Sequence, residues 1–140
     1  MATRRYAHLI VKPRALNELA MHKPTEVGPL FNYLGSELLA DANIRINVRQ
    51  VERVPEGAPS HVDRHVHDVD KCYVLLSDQP GTLEVEVTLG DEQYNAVSPA
   101  TVYVPKGLPH TIWVKKGPGT FLNILPAGGT YAEHVFPAES

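Results

Sequence analysis

The chain has 140 residues, with 43% hydrophobic residues, 21% charged residues and a formal net charge of −3. These values are typical of an ordinary globular protein, and the length predicts one domain over residues 1–140. The weak negative charge would repel phosphate groups, so we expect neither nucleic acid nor an anionic membrane as a partner.

The cysteine content and the N-terminal segment bear on location. Cys72 is the only cysteine, which excludes an intramolecular disulfide and a cysteine-rich metal site. Lys12, Pro13 and Arg14 interrupt the apolar residues near the N-terminus, so we expect no secretory leader. No stretch is apolar for long enough to cross a membrane. We therefore expect a cytoplasmic protein.

The first predicted element is a short helix over residues 13–21. Ala15, Leu16 and Leu19 fall at helical spacing after Pro13, which suits the first position of a helix. Such a short helix would be marginal without tertiary contacts.

Most of the remaining chain has the patterns of strands. Apolar and polar residues alternate over 44–49 and 83–89, and further apolar segments cover 102–104, 110–114 and 121–125. Glycine- and proline-containing turns separate these segments. Many short strands between turns predict an all-β sandwich or barrel.

Three arginines form a stripe along the first of these strands. Arg45, Arg49 and Arg53 share one parity, and such a stripe is usually solvated. In a barrel, one of them could instead face the mouth and hold an anionic substrate through a bidentate contact.

The main chemical signal is a set of three histidines. His65 and His67 are two residues apart and would project from the same face of a strand. His110 ends the run Pro-Lys-Gly-Leu-Pro-His at 105–110. Three imidazoles suit iron, nickel, copper or zinc, and they leave coordination positions open for chemistry.

The strand over residues 60–68 carries further polar groups at the parity of His65. Asp63 lies on the same face and could hold the ring N–H of a neighbouring imidazole, as metal-bound histidines usually require. His61 also shares this face, and we interpret it as a rim residue.

These two segments resemble the motifs of the cupin superfamily. Residues 65–76 resemble the first motif, His-x-His followed after three or four residues by Glu and an apolar strand, and residues 105–110 resemble the second, Pro-x-Gly-x-x-His. With the strands between them, the resemblance covers about residues 44–125. It implies a double-stranded β-helix, or jelly-roll barrel, in which His65, His67 and His110 would bind a divalent transition metal. Iron is the preferred metal, and nickel, copper, zinc or manganese are the alternatives. The resemblance also implies that the protein is a homodimer.

One departure from the family pattern bears on the chemistry. The expected glutamate falls at Lys71 or, with one more intervening residue, at Cys72. The site could therefore be a three-histidine site, or Asp70 or Asp63 could supply the missing oxygen ligand. Alternatively, metal binding could be weakened or absent, with the pocket kept for another purpose. Asp63, Asp70 and Lys71 are thus candidates for positioning the ligands or for catalysis.

Three functions follow from this interpretation. The first is a dioxygenase-type enzyme that acts on a small organic substrate at a mononuclear metal centre. The second is a metal-dependent isomerase, epimerase or lyase on a sugar-like or keto-acid substrate. The third is a non-catalytic module that binds a small ligand.

Overall fold

The computed structural model describes residues 5–16, 27–56, 64–126 and 135–138. Within these ranges the regular elements are all β-strands, apart from one short 3-10 helix at Ala7–Leu9. The strands of this described part, numbered in chain order, are β1 Arg14–Leu16, β2 Leu30–Leu34, β3 Arg45–Val51, β4 His65–His67, β5 Lys71–Leu76, β6 Glu84–Leu89, β7 Glu92–Val97, β8 Ala100–Val104, β9 His110–Lys116, β10 Gly119–Leu125 and β11 Val135–Pro137.

These strands form two antiparallel sheets. The first sheet has the order β1-β2-β3-β10-β5-β8, and the second has the order β11-β4-β9-β6-β7. Strands that are distant in sequence, such as β3 and β10 or β4 and β9, lie side by side because the chain crosses between the sheets. This arrangement is a jelly roll, and it confirms the predicted all-β, double-stranded β-helix fold.

The apolar core lies between the inward faces of the two sheets. Leu83, Val85 and Val87 point inward before and along β6, and Ile112 and Val114 do so from β9, as the sequence alternation predicts. Each such side chain contributes about 1.5–3 kcal/mol when it is fully buried. The first sheet contributes Val51, Tyr73, Leu75, Val102, Val104 and Phe121 to the same cluster.

The prediction of a helix over residues 13–21 is wrong where the structure describes it. Arg14–Leu16 form strand β1, which pairs antiparallel with β2 and places Arg14 opposite Asn32. Tertiary pairing therefore outweighs a short stretch of helical spacing. The rest of the predicted helix lies outside the described residues, and no helix within the described ranges is long and apolar enough to cross a membrane.

Strand β3 presents its polar side to the interior. Arg45, Asn47 and Arg49 are buried, whereas Ile44 is 45% exposed and Ile46 is half-buried. Alternation in the sequence identifies the two faces of a strand, but it does not identify which face meets the opposite sheet. Here the inward face is the polar one, so this part of the barrel interior is chemically different from the apolar core.

Candidate metal centre

The three predicted histidines come from adjacent strands of the second sheet. His65 and His67 are the two ends of β4 and both point inward, since alternate residues of a strand share a face. His110 is the first residue of β9 and is the register partner of His65. The turn before it is tied to β4, because the backbone N–H of Gly107 donates to the His67 carbonyl at 2.9 Å.

The structure brings the three imidazoles into one buried group. One ring nitrogen from each histidine lies within 4.8 Å of those of the other two. The ring centroid of His65 is 4.9 Å from that of His67 and 4.4 Å from that of His110. All three side chains are at most 2% exposed. Within the described residues, this group contains no carboxylate. Such a set of nitrogen donors fits a first-row transition metal rather than magnesium or calcium.

His110 has the tautomer that a metal ligand needs. Its Nδ1 lies 2.9 Å from the carbonyl oxygen of Leu108, and we assign Nδ1–H as the donor of this hydrogen bond. The Nε2 atom is then an acceptor that is buried and has no hydrogen-bond partner among the described residues. A buried acceptor in this position fits a metal ion, which would use its lone pair.

The surroundings of His110 favour the neutral ring. The pKa of His110 is lowered from 6.5 to about 3, mainly by burial, and a positive charge on Lys71 or His65 would act in the same direction. A neutral imidazole is the form that binds metals, so the folded chain holds His110 ready for binding at neutral pH.

Lys71 occupies the interior position that the resemblance assigns to a glutamate. Its side chain is 2% exposed, and its Nζ lies 3.3 Å from Nε2 of His67. The amine also donates a hydrogen bond of 2.8 Å to the hydroxyl of Tyr73. Burial lowers the pKa of Lys71 well below its usual value, which favours an uncharged amine beside the histidines. Cys72 projects from the opposite face of β5 and is half-buried. Lys71, and not Cys72, is therefore the residue that lies at the site.

Asp70 does not join the histidine group. It precedes β5 with the parity of the outer face, and its side chain is exposed. Its carboxylate accepts hydrogen bonds from the Tyr103 hydroxyl and from the Lys106 backbone N–H. Those bonds lower its pKa and hold it at the surface, so Asp70 does not supply an oxygen ligand here. His61 and Asp63 lie outside the described residues.

The arginine stripe is not solvated as a whole. Arg45 is buried and forms a two-bond ion pair with Glu37, with both oxygens 2.9 Å from one nitrogen. Arg49 is also buried and donates a hydrogen bond of 2.8 Å to the carbonyl of Gly28. Arg53 is exposed.

Sequence reasoning missed a group of buried asparagines. Asn32, Asn47 and Asn123 come from β2, β3 and β10 and are at most 4% exposed. Asparagine within a strand is easily interpreted as a solvated residue. One signal was present: Asn123 has the parity of Phe121 and Leu125, two apolar residues, which indicates an inward-facing position.

Comparisons with known proteins give similarity at the level of the fold. No protein-family model matches the chain, and no curated protein matches it. Among solved structures, the chain is similar to the polyketide cyclase RemF from Streptomyces resistomycificus, with a TM-score of 0.60 and 14% identity over 99% of this chain and 87% of that one. It is also similar to Streptomyces PAC13 with uridine, with a TM-score of 0.57 and 15% identity over 99% of this chain and 95% of that one.

A third similar structure is oxalate decarboxylase from Bacillus subtilis, with a TM-score of 0.57 and 17% identity. The match covers 90% of this chain but only 31% of the decarboxylase chain. At these identities the similarities show the fold alone. They agree with the two-sheet jelly-roll barrel described above, and the candidate metal site within it rests on the histidine group of this chain.

Proposed function

We propose that this protein is an enzyme in which His65, His67 and His110 hold one divalent transition-metal ion, with iron preferred. The observation that carries the proposal is the group of three buried imidazole nitrogens within 4.8 Å of one another. When bound, such an ion supplies Lewis acidity and, for iron or copper, one-electron redox chemistry. Three neutral ligands leave the charge of the ion uncompensated, which favours an anionic substrate.

The first candidate reaction is a dioxygenase-type oxidation of a small organic substrate. His65, His67 and His110 would hold the ion and would leave coordination positions for the substrate and the second reactant that such a reaction requires. The three histidine side chains are buried, so the ion would be held inside the barrel. Nickel, copper, zinc and manganese are the alternative metals.

The second candidate is an isomerase, epimerase or lyase on a sugar-like or keto-acid substrate. It is favoured by the contact between Lys71 and Tyr73, whose amine and hydroxyl lie 2.8 Å apart next to His67. An amine and a phenol in hydrogen-bond contact can accept and return a proton, which these reactions need and which an oxidation does not require.

Reconstitution with different metals separates the two candidates. Protein loaded with Fe(II) should consume dioxygen in an oxygen electrode when it is supplied with small organic acids or thiols, such as tartrate and cysteine. Protein loaded with zinc should not consume dioxygen. Turnover of a substrate by the zinc form under nitrogen would contradict the oxidative reaction and favour the second candidate.

A further inference from the structure

A row of three amides crosses the inner face of the first sheet beside the histidines. Asn32 is the register partner of Asn47, Asn47 is the partner of Asn123, and Asn123 is the partner of Tyr73. Side chains directly opposite each other on antiparallel strands lie about 4.5–5.5 Å apart, so these residues form one strip. The strip ends at Tyr73, whose ring centroid is 6.3 Å from that of His110.

The amides of this row keep much of their hydrogen-bonding capacity. Nδ2 of Asn32 donates to Oδ1 of Asn47 at 3.0 Å and to the carbonyl of Leu34 at 2.8 Å. Four atoms remain buried without a hydrogen-bond partner among the described residues, namely Oδ1 of Asn32, Nδ2 of Asn47 and both amide atoms of Asn123. Whichever way the Asn123 amide is turned, it offers one donor group and one acceptor.

Buried polar groups nearly always have partners, because an unsatisfied donor or acceptor destabilises the fold. Three adjacent side chains that share this property on one wall are therefore informative. An apolar residue at Asn123 would match its neighbours Phe121 and Leu125 and would carry no unsatisfied group. The polar groups of this row that the described chain does not use are available to a ligand.

The charge on this wall indicates the nature of the ligand. Arg49 follows Asn47 by two residues on the same face of β3, is 6% exposed and keeps Nε without a partner among the described residues. It has no carboxylate partner there either, in contrast to Arg45 with Glu37. The buried polar side chains of the described residues include no aspartate or glutamate. The wall thus offers neutral amides and a cation, which suit an anion that also bears oxygen atoms.

The geometry points to a binding site for a small oxygenated carboxylate, such as a hydroxy acid or an oxo acid. Asn123 and Asn47 would hold its hydroxyl or carbonyl oxygens, and Arg49 would attract its carboxylate. This inference rests on the proposed function, because the row leads to the histidine group and would present the substrate to the metal there. It narrows the substrate to a carboxylate that carries further oxygen groups, and it adds the residues that recognise them.

Calorimetric titration of zinc-loaded protein with four probes tests the inference. Tartrate has both hydroxyls and carboxylates, succinate lacks hydroxyls, erythritol lacks carboxylates, and uridine carries an amide-containing ring. We expect tartrate to bind at least about tenfold more tightly than succinate or erythritol, because hydrogen-bonding groups left unpaired in a site strongly disfavour analogues that lack their partners.

Asn123→Leu is the decisive variant. It should weaken tartrate binding by about tenfold or more and abolish the preference over succinate. Its melting temperature should equal or exceed that of the unmodified protein, because the change removes unsatisfied polar atoms and keeps a similar volume. Asn95→Leu makes the same chemical change on exposed strand β7 and should leave tartrate binding unchanged.

Several results would overturn the inference. These are binding of tartrate by Asn123→Leu at the affinity of the unmodified protein, a lower melting temperature with unchanged preference, preferential binding of uridine, and failure of all four probes to bind. Metal content is measured on every sample, and the titrations are repeated on metal-free protein. Absence of metal would contradict the proposed function, whereas loss of the tartrate preference in metal-loaded protein contradicts only the amide-row site.

Discussion

Lys71 is the residue that most distinguishes this site from the pattern it resembles. An amine takes the place of a carboxylate and lies 3.3 Å from Nε2 of His67. A charged ammonium there would be repelled by a divalent ion, and burial lowers the pKa of Lys71 in the direction that avoids this conflict. Burial of Lys71 therefore reduces the conflict between its charge and an ion at the candidate metal site.

Exchanging Lys71 for a carboxylate should strengthen metal binding. Lys71→Glu adds an oxygen ligand and a negative charge beside His67, so we expect zinc affinity to rise by about tenfold or more, which is about 1.4 kcal/mol. Competition with a chromophoric chelator measures the affinity. Lys71→Met is the control, because it removes the amine without adding a ligand; equal affinities of the two variants would contradict the position assigned to Lys71.

The stability of the metal-free protein should depend on pH through His110. The pKa of His110 is about 3 in the folded chain against 6.5 for the ordinary ring, so between these values the unfolded chain binds a proton that the folded chain does not. This contribution to stability is fully present above pH 6.5 and is lost as the pH falls toward 3. Between pH 7.5 and 5 we expect a loss of about 2 kcal/mol.

Urea denaturation in the presence of a chelator measures this effect. His110→Gln keeps a polar side chain that does not titrate, and it should lose about 2 kcal/mol less over the same interval than the unmodified protein. The same pH dependence in both proteins would show that His110 is not the group responsible.

At the scale of residues, the sequence predicted the histidines and missed the amides for a physical reason. The spacing of His65, His67 and His110 within two motifs indicates a shared site without knowledge of the fold. The Asn32–Asn47–Asn123 row is visible only when β2, β3 and β10 are paired, because its members are far apart in the chain. Long-range register, rather than local pattern, creates it.

At the scale of elements, the segment before β2 packs closely against β3. This contact holds in place the part of the interior wall that carries Arg49. Gly28 has a φ of +153°, and a Cβ there would lie 1.8 Å from the carbonyl oxygen of Gln50. The Gly28 carbonyl accepts the hydrogen bond of Arg49, and the Pro29 carbonyl accepts one from the Gln50 backbone N–H. The absence of a side chain at Gly28 therefore positions a buried cation.

Gly28→Ala should destabilise the protein by more than about 2 kcal/mol, because backbone atoms of β3 must move to admit the methyl group. Gly107→Ala is the matched control: Gly107 has a φ of +79°, but a Cβ there has nothing within 4 Å. It should cost only about 1–2 kcal/mol of backbone strain. Chemical denaturation compares the two, and an equal or smaller effect at Gly28 would contradict the steric explanation.

The strands also differ in how far the sequence alone predicts them. Strand β6 was predictable because Leu83, Val85 and Val87 supply an apolar face on their own. Strand β1 was not predictable, because its extended form depends on pairing with β2. The two strands are separated in sequence: Leu16 pairs with Leu30, which lies 14 residues later. The inward face of β3 was not predictable either, since the interior it meets is polar.

At the scale of the whole molecule, the predicted homodimer remains a prediction. The N-terminal segment carries Tyr6, Leu9 and Ile10 with exposed fractions of 65%, 55% and 84%, and apolar side chains so exposed are often covered by a partner. We expect light scattering after size exclusion to give the mass of a dimer. Ile10→Glu should shift the protein toward the monomer, and a wild-type monomer would contradict the prediction.

We propose that the barrel holds one metal ion on His65, His67 and His110. The most direct test is the metal content of purified protein after reconstitution with Fe(II) or Zn(II) and removal of excess ion, measured by mass spectrometry of the elements. We expect about one ion per chain, and close to none for His110→Ala, since losing one of three ligands leaves too few donors for tight binding. His8→Ala, at an exposed histidine, is the control and should retain the ion. Protein without bound metal, or equal metal content in His110→Ala and the unmodified protein, would contradict it.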